Sequence, residues 1–232
     1  MIDHNFYASP VQASQTLITH ILEAMDKELE RPFTIALSGG TTPATLFEVW
    51  EREYAAYTPW SRIYFYWVDE RCVPPGDDQS NFGLAYRLLF SKVGIPASHY
   101  YRIVGEGAPE EEAKQYSSIV KTTVPTGVPV FDFVLLGIGE DGHTSSIFPD
   151  HQELLTAGEP YEVSVNPYNK TVRICMTGRP LIEARHTCFL VTGENKCSIL
   201  KEILDKNKEG VYPASYIWHH ARNPQLYASL VS

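Results

Sequence analysis

Cysteine is scarce: four in 232 residues, at Cys72, Cys175, Cys188 and Cys197, with no Cys-x-x-Cys pair and no histidine at zinc-finger spacing. That spacing excludes a zinc module and gives no sign of a disulfide framework, and it leaves mostly buried free thiols in a reducing compartment. Basic residues are also in deficit. Nineteen Lys and Arg stand against 28 Asp and Glu, for a formal net charge of −9. Nucleic acid and anionic membranes both need a basic face, so neither is an expected partner. An anionic small molecule would need a local cluster of Lys or Arg. No apolar run reaches the ~18 residues of a membrane span. The N-terminus, Met1 to Tyr7, lacks the basic and apolar regions of a secretory signal. Low-complexity segments, fixed-period repeats and linkers are missing too. The expectation is one cytoplasmic domain over residues 1–232, monomeric by preference.

What is present is an ordinary globular balance, 44% hydrophobic and 20% charged, with alternating strand and helix patterns. Leu17, Ile18, Ile21, Leu22, Met25 and Leu29 share one face of a helix expected over 10–30, with Ser9 and Pro10 as its start. Apolar runs predict strands at 33–37, 63–68, 131–136, 173–177 and 187–192, and a last strand at 214–218. Helices are expected from Pro43 to about 53, over about 80–90 and over about 194–207, and a surface loop at 104–112 leads into an acidic helix start. Near-continuous apolar strands separated by helices indicate an α/β, Rossmann-like, mostly parallel sheet with helices on both faces. Such sheets bind ligands beyond the carboxyl ends of their strands, where the Gly-rich segments of this chain fall.

Three of these segments carry candidate chemistry. Ser38-Gly39-Gly40-Thr41-Thr42-Pro43 suits an anion: glycines allow close backbone approach, Pro43 fixes a first helical turn, and helix N-terminal N–H groups favour phosphate. An ordinary strand-to-helix turn would read similarly. Arg71, Arg173 and Lys196 are candidate cations, with a solvated surface role as the plain alternative; Lys196 near a helix start opposes the helix dipole unless an anion binds there. Gly137-x-Gly139-x-x-Gly142 matches a dinucleotide fingerprint, but Pro149 leaves no room for the long helix that motif must open, and it lies past mid-chain. The glycines instead present Asp141 and His143 at a strand end. His143 can carry protons near neutral pH, and Asp69, Glu70 and Asp141 are the carboxylates that could support it. Pro149 between His143 and His151, with no third ligand near, argues against a metal pair.

Five segments taken together resemble the 6-phosphogluconolactonases, within a fold group that includes glucosamine-6-phosphate deaminases. They are Leu37 to Pro43; Trp67-Val-Asp-Glu-Arg71 with Val73-Pro74 and Ser80-Asn81-Phe82; Gly137 to Pro149; Arg173 to Thr177; and Gly193 to Lys196. Their order and separations match across about 10–218. The resemblance implies hydrolysis of 6-phospho-D-glucono-1,5-lactone without metal or organic cofactor. It implies His143 as proton carrier with Asp141 beside it, and Gly39, Gly40, Thr41, Thr42, Asp69, Arg71, Arg173 and Lys196 as substrate-binding residues. Thr41 and Ile147 replace a more common Ser and Leu without changing the chemistry. The deaminase relatives carry an acidic residue before the proline where this chain has Phe148. A non-catalytic sugar-phosphate sensor is the other reading; retention of both Asp141 and His143 weighs against it.

Overall fold

The computed structural model describes residues 4–28, 31–124 and 129–231. Among the described residues nine strands form two sheets: β1 His4–Phe6, β2 Phe33–Leu37, β3 Ile63–Trp67, β4 Asp69–Arg71, β5 Phe133–Leu136, β6 Tyr161–Val165, β7 Val172–Met176, β8 His186–Thr192 and β9 Pro224–Ser229. Six of them make a sheet in the order β1-β9-β8-β5-β2-β3, with every pairing parallel. Helices flank this sheet on both sides, as a Rossmann-like α/β fold requires. All five residues of β2 are buried, as are all four of β5, because strands covered on both faces need apolar side chains on both.

The chain runs outward from β2 to β3, then returns to place β5 on the other side of β2. The crevice beyond the carboxyl ends of β2 and β5 is thus a topological switch point, the usual ligand site of an open parallel sheet. The N-terminal edge of the sheet is closed by charge. Asp132, 2% exposed, accepts from both terminal nitrogens of Arg31 at 2.8 and 2.6 Å and from the Thr34 N–H at 2.8 Å, and Arg185 lies 3.3 Å away.

Three expectations are corrected. The strand around Arg173 does not join the parallel sheet. It is β7, the middle strand of a separate antiparallel sheet in the order β4-β7-β6. Residues 69–71, just past the strand expected at 63–68, are a short strand of this second sheet. Residues 214–218 are helical, within Pro213–His220. Pro213 fits the first turn of a helix, and Pro213, Ala214, Ile217 and Trp218 are buried at helical rather than alternating spacing. The true last strand is β9, which begins on Pro224, a tolerated first residue, and runs between β1 and β8. Smaller differences lie at the ends. The first helix is Pro10–Lys27, capped by Ser9 accepting from the Gln12 N–H, and residues 29 and 30 lie outside the described set. The helix expected over 194–207 is a 3-10 turn, Glu194–Lys196, followed by an α-helix, Cys197–Leu204. Cys175 and Cys188 are buried free thiols, while Cys72 and Cys197 are half-buried.

Candidate active site

A cavity of about 370 Å³ opens at the carboxyl ends of β2, β3, β5 and β8. Gly39, Gly40, Thr41, Thr42, Asp69, Arg71, His143, Arg173 and Lys196 all line it. Asp141 does not line it, but it touches His143. Every candidate residue from the sequence is therefore in the cavity wall or one contact behind it.

The His143 turn begins where β5 stops. It is a compact loop rather than a helix start. Gly139 N–H donates to the His143 carbonyl at 2.8 Å, and Gly142 N–H to the Gly139 carbonyl at 3.0 Å. Gly139 is required sterically: a Cβ there would overlap His143 Nδ1 and Asp141 Oδ1. Gly142 is required conformationally, with φ +80°, and its Cα faces the Tyr212 ring so closely that a Cβ would lie 2.5 Å from it. The turn thus leaves space for one contact. His143 Nδ1 meets Asp141 Oδ1 at 2.6 Å, and the His143 N–H reaches the same oxygen at 3.2 Å. Burial raises the Asp141 pKa, but the hydrogen bond and charge of His143, with help from Tyr168, overcome it and bring the group to about 2. An ionised carboxylate only accepts, so in the neutral imidazole Nδ1 carries the hydrogen and Nε2 the lone pair. The Phe148 ring, fully buried, sits 4.6 Å from the imidazole centroid and backs it.

Of the three candidate carboxylates, one contacts His143. Glu70 is committed elsewhere: it accepts from the Arg71, Asn81 and Phe82 N–H groups and from Ser80 Oγ. Asp69 accepts from Ser146 Oγ at 2.5 Å and from Asn81 Nδ2 at 3.1 Å, with Arg173 at 3.7 Å. Only Asp141 remains beside the histidine.

Two of the three cations come from the second sheet. Arg71 on β4 and Arg173 on β7 are directly opposed partners in the antiparallel ladder. Like charges facing each other across strands are unfavourable. The Nε groups of both are buried and have no hydrogen-bond partner among the described residues. Burial pushes the Arg173 pKa down, opposed chiefly by Asp69, and the Arg71 charge adds to the fall. Two guanidiniums held together with spare donors on a cavity wall are arranged for an anion. Across the cavity the helix Thr41–Val49 starts at Gly40, φ 106°, so no side chain caps its first turn and those N–H groups stay available. Thr42 Oγ1 meets Thr192 Oγ1 at 2.6 Å, tying this turn to the end of β8. Lys196 follows Gly193 in the 3-10 turn after β8.

Ser145, Ser146, Glu140 and Asn195 fall in segments singled out from the sequence, but their conformation and contacts were not anticipated. Ser145 and Ser146 have φ of 51° and 57°, a left-handed pair costly for non-glycine residues. It is held by Ser145 Oγ donating to the Val68 carbonyl at 2.7 Å and by the Ser146 bond to Asp69. Asn195 Nδ2 donates to Glu140 Oε1 at 2.5 Å, joining the His143 turn to the Lys196 turn. Neither feature has a local sequence signal, since each depends on elements distant in the chain.

Comparison with known proteins agrees with this fold. The model of the family of glucosamine-6-phosphate isomerases and 6-phosphogluconolactonases matches residues 8–227. A protein of Haemophilus influenzae named 6-phosphogluconolactonase is 40% identical over 192 residues, 82% of this chain and 82% of its own. The crystal structure of a devB protein superposes with a TM-score of 0.91 at 34% identity, covering 100% of this chain and 97% of that one. A 6-phosphogluconolactonase from Trypanosoma cruzi superposes with a TM-score of 0.85 at 27% identity, covering 100% and 96%.

Proposed function

The chain belongs to the family of glucosamine-6-phosphate isomerases and 6-phosphogluconolactonases, and from that premise we propose that it hydrolyses 6-phospho-D-glucono-1,5-lactone to 6-phospho-D-gluconate. The observation that carries the reading is the 2.6 Å Asp141–His143 contact on the wall of a cavity that also holds Arg71, Arg173 and Lys196. The substrate phosphate sits among these cations and the Gly39–Thr42 turn. Anchoring it fixes C1 before His143, so binding energy remote from the reacting carbon contributes to rate.

His143 Nε2 takes a proton from water as the water oxygen attacks C1. The carbonyl becomes a tetrahedral oxyanion. The Gly142 and His143 N–H groups are already committed within the turn, which leaves the backbone N–H groups of Thr144 to Ser146 as the donor set for that oxygen. The oxyanion then collapses, the C1–ring-oxygen bond breaks, and the imidazolium returns its proton to the leaving ring oxygen. Asp141 stays ionised and stabilises the transient imidazolium. No step draws on a metal or organic cofactor. The wall residues run from Ser38 to Lys196, which supports one catalytic domain acting as a monomer on a small phosphorylated sugar lactone. Among the described residues no helix is long and apolar enough to cross a membrane, in keeping with a cytoplasmic site of action.

Deamination of an amino-sugar phosphate needs a further carboxylate near the histidine turn. The position where the deaminase relatives have one is Phe148, whose ring packs on the imidazole. The test is acid release from freshly prepared lactone, run beside a glucosamine-6-phosphate deaminase assay. Acceleration well above the spontaneous rate with no ammonia release is expected. Hydrolysis at the spontaneous rate refutes the proposal.

A further inference from the structure

Asp141 has two oxygens, and His143 uses one. The other, Oδ2, accepts a hydrogen bond from the Tyr168 hydroxyl at 2.9 Å. Tyr168 belongs to neither the His143 turn nor the cavity lining. It stands at the tip of the β6–β7 hairpin, and it is 70% exposed. Burial of its ring therefore does not account for its placement. The tip is tightly specified. Asn166 Oδ1 accepts from the Tyr168 N–H at 2.8 Å and from the Asn169 N–H at 3.3 Å. Lys170 turns the chain with φ 60°, its N–H donating to the Asn166 carbonyl at 2.9 Å. Asn169 Oδ1 accepts from the Thr171 N–H at 3.1 Å and from its hydroxyl at 2.8 Å. An exposed loop fixed by its own side chains presents one phenol to one carboxylate.

We propose that Tyr168 is a positioning residue for the Asp141–His143 pair. With His143 on Oδ1 and Tyr168 on Oδ2, the carboxylate cannot rotate about its Cβ–Cγ bond without losing a hydrogen bond. The plane of the carboxylate sets the imidazole and so the direction of Nε2. The phenol also draws charge from the carboxylate and moderates its hold on an imidazolium. The Tyr168 pKa is raised, first by its hydrogen bond to Asp141 and then by burial and the charges of Asp141 and Asp150. The groups that face Asp141 are thus His143 from its own turn and Tyr168 from the hairpin, with Asp150 beyond Pro149 acting on the phenol. The same hairpin carries Arg173 on its β7 strand. One element therefore contributes to anion binding through its stem and to proton transfer through its tip.

The kinetic arm of the test rests on the lactonase reading; the spectroscopic arm does not. Y168F removes the hydroxyl and keeps the ring. The expected result is an unchanged melting temperature, a kcat about three- to tenfold lower from loss of orientation, and an unchanged KM. The acid limb of the kcat/KM profile moves up by about half a pH unit, since the freed carboxylate holds the imidazolium more strongly. The imidazole of His143, followed by NMR, shifts its midpoint by the same amount. N166A, which releases the tip while keeping the Tyr168 hydroxyl, gives the same changes. If the wild-type protein fails to hydrolyse the lactone, the function reading falls alone, and the NMR midpoint still decides on Tyr168. A midpoint in Y168F equal to wild type, with kcat unmoved or with only a lower melting temperature, overturns the proposal.

Discussion

Replacing Asp141 with asparagine isolates the electrostatic part of the proposed Asp141–His143 pair, because asparagine keeps the size of the side chain and removes its charge. The carboxyl falls from its ordinary 3.8 to about 2 despite burial that raises it, and the largest lowering contributions come from His143. A drop of nearly two units corresponds to ~2.5 kcal/mol at 1.36 kcal/mol per unit. The side chain is 18% exposed, so screening reduces this to roughly 1.5–2 kcal/mol. That alone lowers kcat by about 10- to 30-fold at 1.4 kcal/mol per tenfold. A second loss adds to it. The asparagine can present its NH2 to Nδ1, which forces the hydrogen onto Nε2 and removes the lone pair that must take the proton. The combined expectation is a fall in kcat of about 10²-fold, within the range of general base catalysis, and a KM changed less than about twofold, since Asp141 does not line the cavity. The assay is steady-state acid release from the lactone, corrected for spontaneous hydrolysis. A kcat within about threefold of wild type would refute the reasoning, because His143 would then work without its partner.

Four further outcomes are expected. R173A and R71A should each raise KM for the phosphorylated lactone at least tenfold and change that for unphosphorylated gluconolactone by less than about twofold, the loss of a charge-assisted bond being worth ~1.5–3 kcal/mol; equal effects on both substrates would remove them from the anion site. G139A should abolish turnover while leaving a folded protein by circular dichroism, because a Cβ there overlaps both members of the catalytic pair. D132A should cost about 3 kcal/mol, since it leaves Arg31 and Arg185 without the buried carboxylate they share; its melting temperature should drop by about 6–12 °C with kcat per folded molecule retained. For pH dependence, Asp141 has a depressed folded pKa, so its contribution to stability is present above the unfolded value of 3.8 and is lost as pH falls through about 2; urea midpoints of D141N and wild type should therefore converge between those values, and a gap that persists below pH 2 would contradict it.

Much of the site is legible in the sequence because it consists of turns at strand ends. A run such as Phe133 to Leu136 that stops on glycine marks both the strand and the mouth of the cavity, and the same holds for Leu37 before Ser38 and Thr192 before Gly193. The second sheet was not legible. β4 has three residues, too few for a period, and the burial of β6 is mixed. Nothing local says that the strand bearing Arg173 pairs antiparallel with Asp69–Arg71 rather than with the parallel strands. The strand expected at 214–218 failed because five residues cannot separate a period of two from one of 3.6, and Pro213 was the signal to weigh. Asp141 could not be chosen over Asp69 and Glu70 because the choice rests on where Ser80, Asn81, Phe82 and Ser146 spend their donors. Tyr168 carries no pattern at all; only the hairpin register brings it to Asp141.

The two sheets divide the chemistry, and the division has a physical basis. The parallel sheet ends in glycine turns and a helix start, which offer backbone N–H groups and one fixed imidazole, but its interior strands are too apolar to hold ion pairs. Charged side chains need water or partners within reach. The small antiparallel sheet supplies them, where Arg71 and Arg173 oppose each other and Asp69 lies 3.7 Å from Arg173. Neither arginine position is comfortable alone: both Nε groups are buried without a partner among the described residues. The discomfort is held in place by Ser146, whose hydroxyl bonds Asp69 from a left-handed backbone position on the His143 turn. The His143 turn and Arg173 are therefore linked directly, Arg173 Nη1 donating to Ser146 Oγ at 3.4 Å, and through Asp69, which Ser146 bonds and Arg173 faces at 3.7 Å; Ser146 lies three residues from His143. An anion that relieves the opposed arginines does so at a fixed distance from the imidazole, which is the geometric condition for phosphate at one end of a sugar to place a carbonyl at the other.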